Sequence, residues 1–145
     1  MVIGKGNIFS FVTSDGRIMD CSSSSNITRI EYIPEGVVTL HCDGNLITSI
    51  CKLPDSLENI YCDQNRLTSL PDIPESLDTL FCSDNQLTDL PYLPNPLMDL
   101  YCKDNCLESY PTRNTTIRWI KDHNNRLKNI NRSNRIKTIL SNGAL

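Results

Sequence analysis

The seven cysteines are the residues of this chain best suited to chemistry, and their spacing decides which chemistry is open to them. A thiol can hold a soft metal, close a disulfide, attack as a thiolate, or simply fill an apolar interior. Cys42, Cys62, Cys82 and Cys102 stand 20 residues apart. Zinc ligands come in pairs about two to four residues apart. Cys102 and Cys106 are the one close pair, with His123 the nearest histidine, so neither a metal site nor any cofactor is expected. An odd number of cysteines leaves any disulfide framework incomplete, and thiols are expected. Gly16 and Gly44 sit in turn contexts rather than in a phosphate-binding loop. The sequons at Asn26, Asn114 and Asn131 are expected to stay unmodified, because the opening MVIGKGNIFSFVTSDG lacks the apolar block of a secretory signal.

The elements that position these cysteines follow from an internal repeat. With Val37, Leu57, Leu77, Leu97 and Ile117 as first positions, the fourth reads Leu40, Ile60, Leu80, Leu100, Ile120. The ninth is always asparagine: Asn45, Asn65, Asn85, Asn105, Asn125. Position 11 gives Ile47, Leu67, Leu87, Leu107, Leu127, and position 14 gives Ile50, Leu70, Leu90, Tyr110, Ile130. The sixth carries the four cysteines and then Asp122. Positions 4 and 6 alternate with position 5, so in a short strand Leu80 and Cys82 face one way and Phe81 the other. Copies stacked in parallel place each cysteine beside the next, inside, where a small hydrophobe fits. The asparagine at the turn leaving the strand can satisfy backbone groups stranded in the stack. Pro71, Pro91 and Pro111, with Pro54, Pro74 and Pro94, deny the second half of each unit a helix, so it must return extended and polyproline-like.

The wording L-x-x-L-x-C-x-x-N-x-L resembles the leucine-rich-repeat signature over residues 37–130. It is closest to the short 20-residue class of effector proteins from Gram-negative pathogens, and similar repeats occur in proteins of large DNA viruses. The resemblance implies a solenoid of leucine-rich repeats with short parallel strands on one face, extended returns on the other and few helices. It also raises one catalytic reading. Resembling bacterial effectors include ubiquitin ligases with a Cys-x-Asp motif, spelled here by Cys82-Ser83-Asp84 and Cys102-Lys103-Asp104. Those effectors carry the motif in a separate helical domain, whereas 15 residues follow residue 130 here, and both matches fall on the interior position. The chain is therefore read as a non-enzyme, with a ligase effector stripped of its catalytic domain as a remote alternative.

The ends depart from the pattern. Residues 1–36 read as a hairpin-like cap, built from IFSFV, the turn TSDG and RIMDC, with a degenerate first repeat in which Ser25 replaces the asparagine and residues 22–25 form a polar loop. Residues 131–145 read as a basic cap segment with a helical turn or two. The net charge of −3 is divided unevenly. Residues 113–145 set eight basic residues against Asp122 alone, a net of +7, while the other 112 residues carry six basic and sixteen acidic, a net of −10. No apolar run is long enough to span a membrane, so a cytoplasmic chain is expected, in a host cell if effector-derived.

Outward columns then carry the functional expectation. Position 5 reads His41, Tyr61, Phe81, Tyr101, Lys121, and three consecutive aromatics on an exposed face are what interfaces select. Asp63, Asp84 and Asp104 flank them as charge selectors, which predicts a protein partner that is basic with an apolar centre. The resemblance adds that a host protein is the partner. The alternative is a nucleic acid or anionic surface held by Arg118, Lys121, Arg126, Lys128, Arg132 and Arg135, with Trp119 as a stacking platform. Opposite charges at the two ends also allow head-to-tail self-association. His41 and His123 are expected on an outward and a loop position, as ordinary surface histidines.

Overall fold

The computed structural model describes residues 1–95, 97–109 and 116–142. Tyr110, Pro111, Arg113 and Asn114, which enter the repeat, charge and sequon readings, lie outside the described residues. The elements in chain order are β1 Val2–Ile3, a 3-10 turn Ile8–Ser10, β2 Ile18–Asp20, β3 Arg29–Ile30, β4 Thr39–His41, β5 Ser49–Ile50, β6 Asn59–Tyr61, β7 Thr79–Phe81, β8 Asp99–Tyr101 and helix α1 Thr116–Asn142. One parallel sheet runs β2-β4-β6-β7-β8. The pairs Leu40 with Ile60, Ile60 with Leu80 and Leu80 with Leu100 keep the 20-residue step. The chain is a parallel-strand solenoid of about four turns, as its sequence period requires.

Each strand of this sheet is three residues long. Leu80 and Cys82 are fully buried and Phe81 between them is partly exposed. The backbone N–H of each column cysteine reaches the next strand: Cys42 to Tyr61 O at 2.8 Å, Cys62 to Phe81 O at 2.8 Å and Cys82 to Tyr101 O at 2.7 Å. The column starts one turn earlier than the repeat predicts, since Cys21 N donates to His41 O at 2.8 Å and is itself buried. Met19 pairs with Leu40, a step of 21, whereas Ile30 pairs with Ile50, a step of 20. The additional residue is taken up between Cys21 and Ile27, where Ser23 and Ser25 adopt left-handed φ of 50° and 58°. The degenerate first repeat is thus a regular turn with a one-residue bulge.

The asparagines lock successive turns together. Asn85 Nδ2 lies 3.0 Å from Cys62 O, 3.3 Å from Cys82 O and 3.1 Å from Ser83 O, while its Oδ1 accepts Leu67 N–H at 3.0 Å. Asn45, Asn65 and Asn105 repeat the arrangement. On the return side, Pro54 O and Pro74 O each accept the N–H three residues on, from Leu57 and Leu77 at 3.1 Å. The returns contain no helix between residues 51 and 95. A second parallel sheet, β1-β3-β5, adds short pairing on the first turns that the extended-return reading did not include.

Both ends differ from the sequence expectation in instructive ways. The expected N-terminal hairpin is present in short form, with Val12 bridging Met19 antiparallel between the bonds Thr13 N–H to Ile18 O at 2.9 Å and Asp20 N–H to Phe11 O at 2.7 Å, while the residues before it supply β1 and a 3-10 turn. The C-terminal difference is larger. Residues 117–130, read as a fifth repeat, belong to α1, which runs through the segment expected to hold only a turn or two of helix. No proline follows Pro111, so nothing forbids a helix there, and Asp122 is unsuited to the interior column. In the helix Asp122 is exposed, while Ile120 is buried and Trp119 packs on the core. A helix satisfies its own backbone and ends the stack without a further strand edge.

Candidate functional site

The outward face of β4, β6, β7 and β8 carries a continuous file of rings. His41 stacks flat on Tyr61, centroids 4.6 Å apart and planes 7° from parallel. Tyr61 meets Phe81 edge-on at 5.1 Å and 70°, and Phe81 meets Tyr101 at 4.4 Å and 55°. All four are partly exposed. The parallel register forces this, because position 5 of each strand lies beside position 5 of the next. Such ring contacts fix one another's rotamers, so the file presents a rigid apolar ridge.

The acidic positions beside the file have unequal roles. Asp84 and Asp104 lie at the turn leaving the strand with φ of 54° and 53°, where Gly44 and Gln64 have φ of 66° and 54°. Short polar side chains tolerate that left-handed conformation. Both aspartates are exposed, and Lys103 Nζ is 3.6 Å from the Asp104 carboxylate. Asp63 is partly buried and accepts the Ser83 N–H at 2.5 Å. Burial pushes its carboxyl above the ordinary aspartate value against the pull of the Ser83 N–H, and Asp43 and Asp84 push it further up. Asp63 therefore braces two turns as well as contributing charge.

The Cys-x-Asp sequences do not assemble a nucleophile. Cys82 is buried, and burial holds its thiol well above the ordinary value, as it does for Cys42 and Cys62. Burial pushes Cys21 up to about 12 and Cys102 up to about 11. These thiols stay protonated and shielded, the opposite of what attack requires. Cys102 is inside and Cys106 is exposed, so the one close pair is split between interior and solvent.

The basic residues all project from α1: Arg118, Lys121, Arg126, Lys128, Arg132 and Arg135 are exposed. Lys128 Nζ sits 5.5 Å from the Tyr92 ring centroid. Trp119 is not a free stacking platform, because His123 lies parallel to it at 4.9 Å and 5°. His123 itself departs from the surface-loop expectation. It is 2 % exposed, on the helix, with Nε2 3.0 Å from Leu90 O and 3.1 Å from Pro91 O, so that nitrogen carries the proton. Buried Asn124 beside it accepts Leu93 N–H at 3.0 Å and donates to Leu93 O at 2.7 Å. The two side chains tie α1 to the backbone of the return segment at residues 90–93. The repeat does not mark them, since they fall at positions 7 and 8, where sister repeats also carry varied, mostly polar residues.

No protein-family profile matches the chain, and no curated protein matches it significantly. Among solved structures, the leucine-rich-repeat domain of a Shigella effector superposes with a TM-score of 0.65 at 24 % identity, over 74 % of this chain and 50 % of that one. YopM, a leucine-rich effector protein from Yersinia pestis, superposes with a TM-score of 0.57 at 31 % identity, over 63 % of this chain and 27 % of that one. The chain thus spans at most half the length of these proteins. The chain has the leucine-rich-repeat fold that these effector proteins carry. Among the described residues, no helix is long and apolar enough to cross a membrane.

Proposed function

We propose that this leucine-rich-repeat array is a non-enzymatic protein-binding module whose contact surface is the outward strand face. Tyr61, Phe81 and Tyr101 are its anchors, His41 extends the file, and Asp63, Asp84 and Asp104 select for a basic partner. The observation that carries this reading is the file of partly exposed, mutually stacked rings on one rigid sheet. Interface hot spots draw on such pre-ordered aromatics, because little side-chain entropy is lost on binding. The effector likeness supports a host-cell protein as partner and the host cytoplasm as the place of action. Binding of nucleic acid through α1 has weaker support, with Trp119 engaged by His123 and the cations joined to a body of net charge −10. The test is affinity capture from host lysate with wild type and with Tyr61→Ala/Phe81→Ala/Tyr101→Ala, both checked for folding by circular dichroism. Loss of specific captured proteins in the variant supports the face, and an unchanged set from a folded variant rejects it.

A further inference from the structure

The occupied and free sides of α1 are cleanly separated. Trp119, Ile120, His123, Asn124 and Leu127 turn toward the repeats and are buried or partly buried. Arg118, Lys121, Lys128, Arg132 and Arg135, all exposed, recur at spacings of three, four and seven residues, which puts them on one stripe of a helix. Asp122 lies off that stripe, and from Asn131 to Arg135 every side chain is exposed, so the distal helix projects past the repeat body. The strand face has the complementary sign. Asp99, exposed at the start of β8, shares the ring side of its strand, and Asp43, Asp84 and Asp104 follow the rings where the strands end, with Lys103 among them.

The two surfaces are also commensurate. Neighbouring strands are about 4.8 Å apart, and residues three apart on a helix rise about 4.5 Å, or about 10.5 Å for seven. A helix laid along the ring file therefore keeps its cations in step with successive carboxylates, one strand for a three-residue step and two for a seven-residue step. Its arginines would then lie against Tyr61, Phe81 and Tyr101, whose faces attract guanidinium groups. A chain cannot present its own helix to its own face, because Ile120, His123 and Asn124 fix α1 at the far end of the stack.

We infer that the cationic stripe of α1 docks on the acidic, ring-lined strand face of a second copy of this chain. This rests on the proposed use of that face and names one occupant for it. The contact joins two different surfaces, so each copy keeps one of each unused and association continues into open chains.

Complementation tests the inference with the full chain. Sedimentation equilibrium is run on wild type, on Arg132→Glu/Arg135→Glu and on Asp84→Asn/Asp99→Asn/Asp104→Asn, whose substitutions fall on exposed side chains and should leave the fold intact by circular dichroism. Wild type should grow in mass with concentration beyond a dimer at about 0.1 M salt, and its apparent affinity should fall at least about tenfold at about 1 M, where screening shortens to about 3 Å. Each variant alone should be monomeric, and a mixture of the two should form a one-to-one heterodimer, since between them they retain one helix stripe and one face. A monomeric wild type, association unchanged in Arg132→Glu/Arg135→Glu, or a mixture that gives no heterodimer overturns the inference. Retention of a monomeric wild type on DNA that is lost in Arg132→Glu/Arg135→Glu overturns it in favour of a polyanion. Ring-dependent capture of a host protein by a monomeric chain would overturn it while leaving the binding face in place.

Discussion

Replacing Asn85 by alanine isolates what the repeated asparagine contributes. Asn85 Nδ2 has two hydrogens for three nearby carbonyls, and each carbonyl keeps another partner when the amide is removed. Cys62 O retains Asn65 Nδ2 at 3.2 Å, Cys82 O retains Asn105 Nδ2 at 2.9 Å, and Ser83 O retains Gln64 N–H at 3.0 Å. The Leu67 amide is different: its acceptor is Asn85 Oδ1 and the residue is fully buried. A stranded buried donor costs about 1–3 kcal/mol, and loss of the weaker carbonyl contacts adds roughly 1 kcal/mol. We expect Asn85→Ala to lose about 2–4 kcal/mol in urea unfolding, with Tm falling about 2–4 °C for each kcal/mol. Because each repeat is braced mainly by its neighbours, hydrogen exchange should accelerate at Leu67 while Ile47 and Leu87, served by Asn65 and Asn105, change least. Unchanged protection at Leu67 together with a loss below about 0.5 kcal/mol would refute this account of the asparagine.

Three further outcomes follow from the packing. A maleimide should label Cys106 first and Cys51 next in the native protein but reach Cys62 and Cys82 only after denaturation; Cys82→Val should cost less than about 1.5 kcal/mol and Cys82→Asp several, measured by urea unfolding. Asn124→Ala should cost about 1–3 kcal/mol by stranding the Leu93 amide, and faster hydrogen exchange at Leu93 would show it. The Asp63 carboxyl sits above its ordinary value of 3.8, so the folded chain binds that proton more tightly than the unfolded chain does. Its contribution is therefore most favourable below that value and is lost as pH rises through the folded one. Asp63→Asn should raise Tm at neutral pH, and the advantage should vanish near pH 3; a thermal scan showing an equal effect at both would contradict the burial argument.

The repeat made the centre of the molecule legible. A step of 20 between Leu40, Ile60, Leu80 and Leu100 fixes the register, and the register alone sets His41, Tyr61, Phe81 and Tyr101 side by side. Cys21 was hidden because a left-handed bulge at Ser23 and Ser25 shifts it by one residue, a deformation that a search at constant period does not see. The last unit misled for a different reason. Ile120 and Leu127 are seven residues apart, a spacing that suits one face of a helix as well as two repeat positions. The missing prolines and Asp122 at the interior position are the local signs that favour helix. That Asp63 would be held by the Ser83 N–H depends on the pitch between turns, which side-chain type does not encode.

The binding face is tested most directly by a photoreactive phenylalanine analogue placed at Phe81 and, as a control on the return side, at Asp72, with irradiation in the host cell and identification of the adducts. Asp72 is exposed and far from the ring file in the repeat, so the two positions sample opposite sides of the same solenoid. The account predicts discrete protein adducts from position 81 and none of the same identity from position 72. Equal adducts from both positions, or adducts from position 72 alone, would contradict it.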